Sequence, residues 1–266
     1  MLATTLLAFA FTTGAADVVP PASGAASSAA AAGSAGSSMR VDPIKPGLYR
    51  IGSPGGQAVV RVGAKGVVVV DPPIAALFPA LTAEIRRIAT TADAPVRALV
   101  LTAADANSSS AVGAFIDAGV PVVVQQRALA ELVRRGATTS AAASRFISFD
   151  TDYQIRFGDV EVEVEHVGSG RTGADSVVVF RGLRVVAVGG LFTTETPRPD
   201  CASGGSFAGW AAAIDHLLWS DFDIALPSSG APVGKAELLD FKAKLESLAA
   251  RARPSPSAAA DCGASK

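Results

Sequence analysis

Between residues 59 and 135 of this chain, apolar β-branched runs alternate with segments of helical period, a pattern that folds as a sheet with helices laid upon it. The runs at 59–62 and 67–71 are separated by Gly63-Ala64-Lys65-Gly66, a hairpin signal. Leu77, Leu81, Ile85 and Ile88 then recur at helical spacing and predict a helix packed on the sheet. A strand over 97–102, a helix over 109–118 and an apolar strand over 120–124 follow, so these strands are expected to run parallel; 127–135 supplies one more helix.

The second half repeats the arrangement with antiparallel strands. Strands are expected over 153–157, 160–166, 176–180 and 185–188, with turns at Phe157-Gly158-Asp159-Val160 and Phe180-Arg181-Gly182-Leu183. A helix over 207–219, a strand over 224–226 and a closing helix over 235–251 complete it. At 266 residues, 49% hydrophobic and 18% charged, the chain can bury a sizeable core. A formal net charge of −1, with no basic stripe, argues against a nucleic-acid partner.

The ends differ in composition. Leu6-Leu7-Ala8-Phe9-Ala10-Phe11 followed by Gly14-Ala15-Ala16 reads as a secretory signal over 1–16, although no Lys or Arg precedes the apolar run. That run is too short to span a bilayer, and no transmembrane segment is expected. The reading makes the protein exported, periplasmic or secreted. Residues 17–40, nearly all Ala, Ser, Gly and Pro towards their centre, are expected to be a disordered linker, 41–252 the folded domain, and 253–266 a disordered tail. Cys201 and Cys262 suit an exported chain; whether they form a bridge or stay as thiols is open on spacing alone.

Four loop segments carry more specific information. They are Thr102-Ala103-Ala104-Asp105-Ala106-Asn107-Ser108, Gly168-Ser169-Gly170-Arg171-Thr172-Gly173, Gly189-Gly190-Leu191 and Pro227-Ser228-Ser229-Gly230, each next to an expected strand. In order and spacing, together with the strand ending at Asp71, the set resembles the metallo-β-lactamase superfamily. That family carries T-H-x-H-x-D-H, G-H-T, G-D-L and P-G-H-G at the corresponding places. The resemblance covers roughly residues 46–250 and implies an α/β fold, the αββα four-layer sandwich.

The same resemblance marks what is changed. The three histidines of the family's first zinc fall on Ala103, Asp105 and Arg171; the ligands of the second fall on Asn107, Ser108 and Ser229, and the bridging aspartate on Gly190. Zinc needs about four N, S or carboxylate donors, which alanine, glycine and a cationic arginine do not provide. No cofactor is therefore expected, although the family implies zinc. Arg171 is expected to lie where the metal would be and to pair with Asp105. The reading is a pseudoenzyme, a non-catalytic binding or scaffold protein. Its vestigial pocket, formed by Asp105, Asn107, Ser108, Arg171 and Ser229, would take a small polar or anionic ligand. The alternative is a hydrolase acting on a lactam, lactone, ester or thioester bond.

Other residues read more plainly. The family resemblance implies that Asp71 supports a loop, and Asn107 with the serines at 108–110 is expected to supply helix caps. His166 shares a strand face with Val160, Val162 and Val164 and is expected at the edge of the core; His216 has no expected role. Gly204-Gly205-Ser206 and Gly168-Ser169-Gly170 lack the setting of a nucleophile elbow. The Gly168–Gly173 turn offers backbone N–H groups that could cradle an anion.

Overall fold

The computed structural model describes residues 39–252 apart from 55, 90–93 and 140–141, all within the compact unit spanning 36–266. Among the described residues twelve strands form two sheets. The first has the order β1 (Arg40–Lys45), β2 (Leu48–Ser53), β3 (Gly56–Gly63), β4 (Gly66–Val70), β5 (Val96–Leu101), β6 (Val122–Gln125) and β7 (Phe146–Phe149). It is antiparallel from β1 to β4 and parallel from β4 to β7.

The second sheet has the order β12 (Ile224–Pro227), β11 (Val185–Gly189), β10 (Ser176–Phe180), β9 (Val160–His166) and β8 (Asp152–Phe157). Only β11 and β12 pair in parallel. Five α-helices accompany the sheets: α1 (Phe78–Ile88), α2 (Ala106–Asp117), α3 (Gln126–Arg134), α4 (Phe207–Leu218) and α5 (Lys235–Arg251).

Alternation along the strands sorts the side chains into layers. On β4, Val67 and Val69 pack with Leu81, Ile85, Phe115 and Leu132 of α1, α2 and α3. Val68 and Val70 point the other way, into a core shared with Val162, Val164, Val178 and Phe180 of the second sheet. On β10, Val177 and Val179 turn outward against Trp210 and Ile214 of α4 and Leu238 and Phe241 of α5. Strands covered on both faces favour apolar residues throughout, which is why β4, β6, β10 and β11 read as nearly continuous apolar runs, with polar Gln125 and Ser176 only at the ends of β6 and β10. The αββα sandwich expected from the sequence is the architecture observed.

Differences from expectation lie at edges and helix starts. The strand β1, Arg-Val-Asp-Pro-Ile-Lys, is polar and contains proline, so period-2 patterning does not reveal it; it pairs on one side only. Met39, just before it, is already buried in the first sheet's outer core. The helix expected over 109–118 begins three residues earlier, at Ala106, because Asp105 caps it. The short β7, Phe-Ile-Ser-Phe, is a further strand beyond those expected.

The loops after β4, β5, β11 and β12 meet at one rim. Parallel pairing puts the carboxyl ends of β4 and β5 side by side, and those of β11 and β12 likewise. The two sheets are joined there by the Ser176 N–H donating to the Thr102 carbonyl at 2.8 Å.

Candidate functional site

Asp71 forms the brace beneath this rim. The chain turns out of β4 with Asp71 at a φ of 46°, a left-handed conformation uncommon for a residue with a side chain. Its buried carboxylate accepts the Thr102 N–H at 2.8 Å and the Thr102 hydroxyl at 2.5 Å, locking the end of β4 to the end of β5. Burial, then the charge of Asp105, push its pKa up to about 7 against the opposing pull of Thr102 and Arg171. Gly189 presses on this pair from the second sheet: at φ +52°, a Cβ there would strike the Thr102 hydroxyl. Asp71 thus supports the loops, the role that the family resemblance implies.

The loop from Gly168 to Gly173 is shaped by a second buried carboxylate. Asp175 accepts the N–H groups of Gly170 at 3.1 Å and Thr172 at 2.6 Å. Burial raises its pKa to about 6, opposed by the hydrogen bonds from Thr172 and by Arg171. Of the N–H groups that the turn could offer an anion, those of Gly170 and Thr172 go to the chain's own Asp175 and that of Gly173 goes to the Ser203 carbonyl at 2.6 Å. The Arg171 carbonyl accepts the N–H of Asp200 at 2.7 Å. The Asp200 carboxylate is held in turn by Arg135 Nη2 at 2.6 Å.

These bonds aim the Arg171 side chain across Gly190. A Cβ on residue 190 would stand only 2.8 Å from Arg171 Nε, so the guanidinium stem lies flat on the glycine. Nε itself is buried without a hydrogen-bond partner. The head of the side chain lines a cleft of about 1060 Å3.

Asp105, Asn107 and Ser229 line the same cleft. The expected pairing of Arg171 with Asp105 is not formed: among the described residues no ion pair joins them. Asp105 is turned to cap α2, its Oδ1 accepting the Asn107 N–H at 2.9 Å and its carbonyl the Ser109 N–H at 3.1 Å, while Arg171 is laid on Gly190. Asn107 therefore stands in the first turn of α2 as the recipient of the cap, not as the cap. Ser108 belongs to α2, and its side chain lies outside the described set. Ser229 is exposed on the loop after β12, which is stitched to the first sheet by Arg50 Nη1 donating to Gly230 O and Gln57 Nε2 to Pro227 O, each at 2.7 Å.

Sequence reasoning missed part of the lining. Gln57, Phe192, Glu195 and Arg198 also face the cleft. Thr193-Thr194-Glu195-Thr196-Pro197-Arg198 carries no pattern that would have marked it. His166 stays at the core edge, its Nδ1 2.7 Å from the Asp175 carbonyl, and His216 is exposed on α4. Ser206 caps α4 by accepting the Gly209 N–H. Cys201 opens a short turn beside Asp200, whereas Cys262, and with it any bridge, lies outside the described residues.

Whole-domain comparison decides the fold. A metallo-beta-lactamase from Pontibacter korlensis superposes with a TM-score of 0.67 at 19% identity, covering 78% of this chain and 99% of that one. The DIM-1 metallo-beta-lactamase gives 0.66 at 16% identity over 79% and 97% of the two chains. The corresponding protein of Hirschia baltica gives 0.65 at 17% over 78% and 97%. This chain has the metallo-β-lactamase fold. No family model and no curated protein matches the sequence.

Five of the positions that the sequence resemblance assigns to zinc ligands in that fold, Asp105, Asn107, Arg171, Gly190 and Ser229, line the cleft. The side chains present on this metallo-β-lactamase frame do not fit a zinc ion. Both oxygens of Asp71 are engaged by Thr102, Asp105 serves as a helix cap, and a cationic guanidinium that donates no lone pair to a metal lines the same cleft. Among the described residues no three His, Cys, Asp or Glu side chains gather closely enough to hold a metal.

Proposed function

We propose that this chain is an exported pseudoenzyme of the metallo-β-lactamase fold, which binds a small polar or anionic ligand in the rim cleft without catalysing hydrolysis and without a metal. The observation that carries the reading is the seat of Arg171 on Gly190. In the sequence resemblance, Gly190 replaces the carboxylate that would bridge two zinc ions. A fixed cation stands over the vacated position, so charge is supplied to the cleft by the chain itself. A zinc hydrolase uses its metal to lower the pKa of a bound water and deliver it as hydroxide; a guanidinium, which keeps its own proton and coordinates no water, supplies no such nucleophile.

Elemental analysis of protein purified from zinc-supplemented medium tests the proposal directly. We expect zinc well below one equivalent and no zinc-dependent turnover of β-lactam, lactone, ester or thioester substrates. Stoichiometric zinc accompanied by turnover would establish the hydrolase reading instead. Processing before Asp17, read by mass spectrometry of the mature protein from an exporting host, checks the secretory signal; an intact amino terminus would remove export from the proposal.

A further inference from the structure

The cleft has a chemistry narrower than "polar or anionic". Of the two arginines that line it, Arg171 is the less exposed; its Nε is buried without a hydrogen-bond partner, and among the described residues no ion pair engages its guanidinium. Nε is buried against Gly190, which leaves the terminal Nη atoms as the donors with which Arg171, a lining residue of the cleft, can meet a ligand. A guanidinium offering a pair of parallel donors matches a planar carboxylate, which can accept both at once.

The rest of the lining sets the charge and shape of the ligand. Asp71, Asp105 and Glu195 share the cleft with Arg171 and Arg198, so two cations face three carboxyl groups. A ligand with one negative charge gains the guanidinium and meets limited repulsion; a phosphate dianion meets the same carboxylates with twice the charge. Pro72, Ile74 and Phe192 add an apolar wall, which a ligand that is nothing but charge leaves unused. We propose that the cleft is a receptor for small amphipathic monocarboxylates, anchored end-on by the Nη atoms of Arg171 with the apolar body against Pro72, Ile74 and Phe192. This rests on the metal-free binding reading above and specifies its ligand.

Titration of the full chain, labelled with 15N-arginine, tests the anchor by NMR at constant ionic strength. The probes are benzoate, acetate, their amides benzamide and acetamide, and inorganic phosphate. Benzoate should shift the Arg171 side-chain resonances saturably and raise the Tm, acetate should do so more weakly, and phosphate and both amides should trail the matching carboxylates. Arg171→Gln should weaken benzoate binding roughly 10- to 100-fold, the effect of losing a charge-assisted contact, and Arg171→Lys should restore part of it. Benzamide binding as tightly as benzoate, phosphate binding more tightly, or no carboxylate shifting Arg171 would each overturn the proposal. The resonance shifts are read on the unsubstituted protein and so do not depend on the variants folding. Zinc content measured on the same sample separates the two failures: bound zinc removes the metal-free reading, whereas zinc-free protein indifferent to benzoate removes only the ligand class.

Discussion

Asp71 shows how one residue can serve a fold at some electrostatic cost. Its carboxylate collects both donors of Thr102, yet burial and Asp105 lift its pKa from an ordinary 3.8 to about 7. Between those values the folded protein holds a proton that the unfolded chain has released. The resulting stabilisation is complete at acid pH and is lost as pH rises through about 7. Asp175, raised to about 6, acts in the same direction. Thermal unfolding followed from pH 5 to pH 8 should therefore show a fall in Tm with rising pH, and Asp71→Asn should flatten that fall. Parallel profiles for the two proteins would contradict the assignment. Comparing variant with parent matters, since groups such as Glu131, lowered to about 2 by Arg134 and Arg135, lie beyond this range and cancel in the comparison. The supporting role of Asp71 was legible only through the family resemblance. Its proton affinity was not, because burial and the approach of Asp105 come from other segments.

At the scale of elements, the loop carrying Arg171 is held from outside. Arg135, at the end of α3, reaches Asp200 and Ser203 and also contacts Glu131, and the Asp200 N–H then fixes the Arg171 carbonyl. Arg135→Ala should speed amide exchange at Asp200 and Gly205. It should lower stability by no more than about 1 kcal/mol, since the pair is partly exposed. Unchanged exchange at Asp200 would show that the loop holds itself. Most element types were legible, because long apolar runs and helical spacing are local properties. The start of α2 was misread because several residues in Asp105 to Ser110 can cap a helix, and only the observed bond from the Asn107 N–H to Asp105 chooses among them. The edge strand β1 escaped because pairing with β2, rather than its own composition, makes it a strand.

The whole molecule is organised around the core between the sheets. Val178 of β10 is fully buried there together with Val68 and Val70 of β4. Val178→Ala should cost about 1–3 kcal/mol by the loss of buried methyls and the gap they leave. Native-state hydrogen exchange should accelerate in β4 as well as β10, because the two sheets share that layer; a response confined to β10 would show that the sheets open independently.

The sequence by itself determined most of the strands and helices, though not β1, β7 or the start of α2, and the lack of histidines in the four loop segments, because periodicity and residue type reside in the chain; the layering came through the family resemblance. The same resemblance also determined which segments would meet at the rim. Only the tertiary structure decided what those segments do to one another. Arg171 lies on Gly190 and leaves Asp105 to its helix, and Asp175 takes the N–H groups that looked available to a ligand. Each outcome is a competition between partners distant in sequence or freed by a turn, decided by angstrom-scale reach and burial, which no local pattern encodes.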